Sequence, residues 1–342
     1  MRPLLPKGSI TLLICAALIL GSTLGCKRLA DLAKKKTNDD APPTTSSTPG
    51  NNDAVGNDAS LVKKSNLYIT ECFNKYSNSI VSSYNRYQSW VKDIDAGPTG
   101  KETLVYGLYD VTGDGSDCEK AVADAKAMDP ELPELEGVAD KYVASLKSVV
   151  LKIHDVYNYY EQEDYKDDSF AKGKTAHPAL IAAFKDFKDV NANFASQVDQ
   201  LEDRVANEEL AKLRAESGNE YEALIVESGI KAKAIKNLLQ EKEYEQLTAD
   251  ELTPLIEDFD KTVEAMRSTT TKKIMADSYV RSCDEFTKAS KEMMRRIRDG
   301  KKFNESERRF IDMGSGWMVD GSPGKVIKAY NDMIMQRRFT RF

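Results

Sequence analysis

Leu135-Glu-Gly-Val-Ala-Asp-Lys-Tyr-Val-Ala-Ser-Leu-Lys-Ser-Val-Val-Leu-Lys-Ile-His-Asp-Val-Tyr-Asn-Tyr-Tyr160 is the stretch that decides the fold. Leu135, Val138, Tyr142, Leu146, Val149, Ile153, Val156 and Tyr160 recur at steps of three and four, so a helix gathers them on one face. The spacing lies close to the seven-residue repeat by which long helices pack side by side. It predicts a long helix with an antiparallel partner. Upstream, Ile69, Phe73, Tyr76, Ile80, Tyr84, Tyr87 and Val91 make a second stripe and the expected partner. Downstream, Pro178 reads as a helix start, with Leu180, Phe184, Phe187, Phe194, Val198, Leu201 and Val205 on one face. Further helices are predicted over Glu220–Lys242, Ala249–Met266 behind the cap Thr248, Ala276–Asp299 and Ser322–Met335. No stretch alternates convincingly at period two. The predicted fold class is all-α, an elongated antiparallel helical bundle.

Composition bounds the function. The chain has 342 residues, 30% charged and 41% hydrophobic, with net charge −6. A mildly acidic chain is a poor candidate for nucleic acid, whose phosphates want a basic face, so nucleic acid is not an expected partner. Acids and bases at helical spacing read as solvated helix faces.

The N-terminus predicts the address. Arg2 and Lys7 precede the apolar run Ile10–Leu20, and small residues lead to Gly25-Cys26. That order reads as a secretory signal, and the run is well short of the ~20 residues a spanning helix needs. A cysteine directly after the small residues resembles a bacterial lipoprotein signal, in which Cys26 is lipidated and becomes the first mature residue. Loss of Arg2 and Lys7 then moves the net charge from −6 to −8. The basic segment Lys27–Lys36 can lie against anionic head groups or simply be a solvated stalk base. From Thr37 to about Lys64 almost no large apolar residue occurs, so the segment is read as a flexible tether. With Lys27 as its start, about 38 residues of coil reach roughly 35 Å. The expected organisation is a signal peptide over 1–25, lipidated Cys26 and a linker over 26–64, and a helical domain over 65–342.

Export makes disulfides available. Cys283 falls on the apolar stripe Tyr279, Cys283, Phe286, Met293, Ile297 and is read as a buried thiol. Cys72 and Cys118 are paired, although all three pairings among these cysteines are formally open.

Few motifs carry chemistry. Gly97-Pro-Thr-Gly-Lys-Glu-Thr-Leu-Val-Tyr-Gly-Leu-Tyr-Asp-Val111 suggests a phosphate loop, but Asp95 stands where the first glycine is needed; an ordered connecting loop is the reading. Asp110, Thr112, Asp114 and Gly115 match the start of a calcium loop, whereas Ala121 stands where its bidentate glutamate belongs. They are kept as a weak calcium candidate, with a turn capping the next helix as the preferred reading. His154 and His177 are the two histidines, and neither has a partner at zinc spacing. No cofactor is expected. Arg295, Arg296 and Arg298 sit near a helix end, where cations favour the dipole.

Gly97–Val111, Tyr165-Lys-Asp-Asp-Ser-Phe-Ala-Lys-Gly-Lys-Thr-Ala-His-Pro178, Arg295-Arg-Ile-Arg-Asp299 and Ser315-Gly-Trp-Met-Val-Asp320 with Ala329-Tyr-Asn-Asp332 together resemble the YiiG-like family of uncharacterised bacterial lipoproteins. The resemblance runs from about Leu67 to the end. It implies an all-helical domain after a tether, with no activity to carry over. Cys72 and Cys118 sit where that family's cysteines are expected, and Cys283 is an extra. Lys27 after Cys26, rather than Asp, implies an outer-membrane anchor facing the periplasm.

The functional expectation is a non-enzymatic, membrane-tethered protein that binds another envelope component. Its contact candidates are Lys101, Tyr106, Tyr109 and Trp317, in the stretches Gly97–Val111, Tyr165–Pro178 and Gly314–Gly324, because loops at bundle ends are exposed. The second expectation, from another class, is an envelope enzyme or small-ligand receptor with a site between helices; Asp167, Asp168 and His177 are the set it would use.

Overall fold

The computed structural model describes residues 52–269 and 276–340. Cys26, the signal and the basic segment after it lie outside the described residues. Among the described residues all regular structure is helical, and no helix is long and apolar enough to cross a membrane.

The chain begins with α1 (Asn52–Tyr68), one π turn (Ile69–Phe73) and α2 (Asn74–Trp90). An irregular segment, 91–115, leads to α3 (Ser116–Lys126) and then α4 (Pro133–Glu161). Beyond a short 3-10 turn come α5 (Ala171–Ala215), α6 (Glu220–Glu241) and α7 (Ala249–Ser268), followed by α8 (Ala276–Arg298), α9 (Glu305–Asp312) and α10 (Pro323–Thr340). At 45 residues, α5 is the spine; it is about 70 Å long at 1.5 Å per residue. Its first two thirds close one core with α1 to α4, containing Tyr68, Tyr76, Tyr87, Tyr142, Phe187 and Phe194. Its remainder leads into a second core built from α6, α7, α8 and α10, around Phe259, Phe286, Met293 and Val326.

The α4 stripe forms as its spacing dictates, and Leu135, Tyr142, Leu146, Val149, Ile153, Val156 and Tyr160 are all buried. Pro133 opens the helix, where its missing N–H costs nothing. Glu136 accepts the Leu132 N–H at 3.1 Å. The antiparallel partner, however, is α5: Tyr142 stacks on Phe194 with ring centres 4.3 Å apart, and Ser145 reaches Asp186. The expected partner α2 runs parallel to α4, with Phe73 beside Tyr142 and Trp90 beside Tyr160. The long connection explains this. The segment 91–115 and α3 run back along α2 and α1, returning the chain to where α4 can start beside them.

Two expected boundaries move. Pro178 does not start a helix; α5 begins at Ala171 and carries Pro178 inside it, so most of Tyr165–Pro178 is helical. The start is fixed by Asp168, whose carboxylate accepts the Lys172 N–H at 2.9 Å. Ser169 and Phe170 turn the chain through left-handed conformations just before it. The linker expected to reach Lys64 ends sooner, because α1 occupies its last part. Leu61 and Lys64 are both buried. The Lys64 ammonium donates to the carbonyls of Met128 at 3.0 Å and Pro130 at 2.8 Å, and pairs with Glu136. A buried lysine is tolerated only with such a complete set of acceptors. The polar composition concealed this anchor.

Cys72 in the π turn is bonded to Cys118 in the first turn of α3, with Cα atoms 4.3 Å apart. Cys283 is a buried free thiol, and burial pushes its pKa up to about 12. Arg295, Arg296 and Arg298 lie in the last turn of α8, as expected, and Arg296 is in addition a buried clamp: it donates to both oxygens of Glu307 at 2.9 Å and to the Asp320 carbonyl at 2.8 Å.

Candidate functional site

The segment 97–111 is held open along α2 by side chains that seize its carbonyls. Trp90 Nε1 donates to Gly107 O at 2.9 Å, Ser83 Oγ to Tyr109 O at 2.9 Å, and Arg86 Nε to Tyr106 O. From α4, His154 Nε2 donates to Val111 O at 2.8 Å. Leu108 and Val111 turn inward. At the entrance, Glu102 accepts the backbone N–H groups of Thr99 and Gly100 at 2.6 and 2.8 Å. Burial alone would raise the Glu102 pKa, but these hydrogen bonds outweigh it and hold the carboxyl below its usual range.

Pinning the backbone by its carbonyls leaves alternate side chains outward. Tyr106 and Tyr109 are half exposed, and together with Ser82, Asn85, Arg86 and Ser89 of α2 they line an open groove of about 510 Å³. The Arg86 guanidinium lies 4.4 Å from the centre of the Tyr109 ring, a cation–π contact that stiffens both walls. The groove is therefore polar, aromatic-walled and preformed. Such a surface can take hydrogen-bonding groups along its floor and stack planar or apolar ones on its tyrosines.

Beneath the segment sits His177, whose ring stacks on Tyr87. Its Nε2 lies 3.0 Å from Ile94 O and its Nδ1 2.9 Å from the Tyr87 hydroxyl. A carbonyl only accepts, so Nε2 carries the proton and Nδ1 accepts from Tyr87. Burial lowers the His177 pKa and raises that of Tyr87 to about 12, keeping both neutral. Gly97 packs on this ring, with a φ of +87° and space so tight that a Cβ would meet His177 Cδ2 at 2.5 Å.

The sequence candidates separate accordingly. Tyr106 and Tyr109 share the groove, while Lys101 is exposed at the near end of the same segment. Trp317 lies elsewhere, on the 3-10 turn after α9, about half exposed. Asp167, Asp168 and His177 do not act together: Asp168 accepts from the Tyr159 hydroxyl at 2.7 Å and from Lys172, and His177 has both nitrogens engaged. In the calcium candidate, Asp110 accepts the Val111 N–H at 2.9 Å and Asp114 the Ser116 N–H at 2.9 Å, while Thr112 is exposed. Hydrogen bonds from Ser116 hold the Asp114 carboxyl below its usual range. Both carboxylates thus accept local backbone N–H groups of the turn. Among the described residues no cluster of three or more His, Cys, Asp or Glu side chains is arranged to hold a metal ion. Sequence reasoning missed Ser82, Asn85, Arg86 and Ser89. Their spacing on the polar face of α2 was the signal, but it is also the signal of any solvated face.

Residues 59–338 match the profile of a family described as a protein of unknown function, DUF3829. The chain belongs to the DUF3829 family. A relative, the uncharacterised protein YiiG of Escherichia coli (strain K12), is 30% identical over 282 residues, covering 82% of this chain and 79% of that one. No solved structure matches. The DUF3829 match begins within α1, before the expected domain start at residue 65. The part of α1 from residue 59 onward, which includes buried Leu61 and Lys64, lies within that match.

Proposed function

We propose that this protein is a non-enzymatic helical module of the cell envelope, anchored through lipidated Cys26 to the outer membrane facing the periplasm, that binds another envelope component. The anchor rests on the basic start, apolar run and small residues before Cys26. The observation that supports binding is the groove between α2 and segment 97–111. Arg86 and Trp90 immobilise its backbone, yet Tyr106 and Tyr109 stay half exposed over Ser82, Asn85 and Ser89. A preformed surface of this kind loses little entropy when a ligand orders on it.

A photo-reactive residue in place of Tyr106 in the lipidated protein tests the reading. The expected result is a discrete protein adduct in cells that disappears with Arg86→Ala, while export and folding persist. Capture of lipid alone, or of nothing by folded protein, overturns it. The enzyme or receptor alternative is the weaker reading, since Asp168 and His177, on which it relied, are spent on internal hydrogen bonds.

A further inference from the structure

Helix α9 and the 3-10 turn Gly316–Met318 form a short hairpin on the second core. Its outer side carries Phe310, Met313, Trp317 and Met318, which are 43%, 78%, 48% and 56% exposed. Singly exposed apolar side chains are ordinary; four of this size within nine residues are a patch. The patch is not a fraying end. Asn304 and Glu307 close a capping box at the start of α9, Glu307 is clamped by buried Arg296, and the Ser322 hydroxyl donates to Gly316 O at 2.6 Å. These contacts fix a backbone that displays apolar side chains to solvent.

The surrounding charge selects the occupant. Residues 295–312 carry seven basic and four acidic side chains within a chain of net charge −6. Three of the acids pair locally, Glu307 with Arg296, Asp299 with Arg298 and Glu305 with Arg309. Arg295, Lys301, Lys302 and Arg308 are exposed, as is Asp312, and Arg295 and Lys301 help Arg298 to hold the Asp299 carboxyl below its usual range. An apolar cap of Phe, Met and Trp, in a stretch of chain rich in exposed cations, fits the boundary of a bilayer, where acyl chains take the cap and lipid phosphates the cations. A second copy docked through the same surface by two-fold symmetry would bring the same cations against themselves.

We infer that the α9 hairpin is a membrane-contact surface that inserts Phe310, Met313, Trp317 and Met318 into the head-group region of an anionic phospholipid bilayer. Each exposed cation near such a surface strengthens binding by about fivefold at moderate salt. The contact would hold the second core against the bilayer. It is independent of lipid on Cys26.

The test uses the full chain and the fluorescence of Trp317. The sequence has two tryptophans, and the other, Trp90, is buried at 5% exposure. The chain is mixed with phosphatidylcholine vesicles or with phosphatidylcholine/phosphatidylglycerol vesicles, both bearing brominated acyl chains. Expected are a blue shift and quenching with the anionic vesicles, weakened by salt and absent in Trp317→Phe. Met313→Glu with Met318→Glu should lower vesicle affinity about tenfold or more, with unchanged circular dichroism and melting. Because every variant shares residues 1–51, their contribution cancels. Unchanged emission overturns the proposal, as does equal binding by the double variant or equal response to neutral vesicles. A shift that follows protein concentration without vesicles also overturns it and identifies a second copy as the occupant.

Discussion

Glu307 holds two structures at once: it completes the cap of α9 by accepting the Asn304 N–H at 2.8 Å, and it neutralises Arg296, which is 9% exposed and packed against Phe303. Capping and ion pairing are thereby coupled, so α9 cannot unwind without leaving a buried guanidinium unmatched. Breaking a buried pair from one side costs about 3–5 kcal/mol, and the quarter exposure of Glu307 places this case at the lower end. Glu307→Ala should therefore lower stability by about 3 kcal/mol in urea unfolding. Amide exchange in α9 should accelerate first. Glu305→Ala, which removes an exposed pair with Arg309, should cost less than about 0.5 kcal/mol.

Gly97 is required twice over, by its left-handed backbone and by the His177 ring against it. Gly97→Ala should destabilise by about 1–2 kcal/mol from backbone strain alone, and more if the ring must move. Its distinguishing mark is local. Cross-linking from Tyr106 should fall along with stability, because His177 holds Ile94 O at the start of the segment that carries Tyr106. Gly137→Ala, with open space around its Cβ position, should instead stabilise α4 by up to about 1 kcal/mol.

The difference between what sequence disclosed and what it hid follows from period and context. The α4 stripe was legible because each of its residues had to be apolar. Which helix it packs on was not, because a seven-residue spacing describes a seam without naming the other side. Pro178 misled because a proline several residues into a helix forfeits one hydrogen bond, a loss that packing of Leu180 and Phe184 outweighs. The true start at Ala171, fixed by Asp168, needed left-handed Ser169 and Phe170, conformations that no residue preference announces. Lys64 looked like linker because charge normally means solvent, and only folding brings Met128 O, Pro130 O and Glu136 to it. The groove was half visible: the tyrosines of segment 97–111 stood out, whereas its α2 wall looked like any polar face.

The bond from Cys72 to Cys118 closes a loop of 46 residues. In the chain-entropy account such a loop stabilises by about 4 kcal/mol, an upper bound where the open chain retains structure. Cys72→Ala with Cys118→Ala should therefore lower stability by up to that amount, chiefly by enlarging the freedom of the unfolded chain. Cys283 offers no replacement partner, being buried with its thiol pKa pushed to about 12. Cys283→Ala should leave the reducing-agent dependence of unfolding as it is, and any change there would mean that the two cysteine sites communicate.

Stability should respond to pH through two groups with opposite signs. His177 has a lowered folded pKa, so the unfolded chain takes up its proton first; its contribution is present above the ordinary value of 6.5 and is lost as pH falls below it. Glu202 of α5 behaves in reverse. It lies in a cluster where Lys233 reaches Asp199 at 2.8 Å and Asp203 at 2.6 Å, but Glu202 only at 3.8 Å. Burial, assisted by Asp199 and Asp203, raises its pKa from 4.5 to about 7 against the pull of Lys233 and Lys236. The folded state therefore keeps a proton that the unfolded chain has released. Stability from Glu202 is full below pH 4.5 and lost as pH rises through 7, a change of up to about 3 kcal/mol. Glu202→Gln should be more stable than the parent at pH 8 and nearly equal to it at pH 4.5. His177→Gln should flatten the parent's decline below pH 6.5. Urea unfolding of the three proteins from pH 4.5 to 8 checks both signs, and a Glu202→Gln curve parallel to the parent's would mean that Glu202 is ionised in the fold throughout.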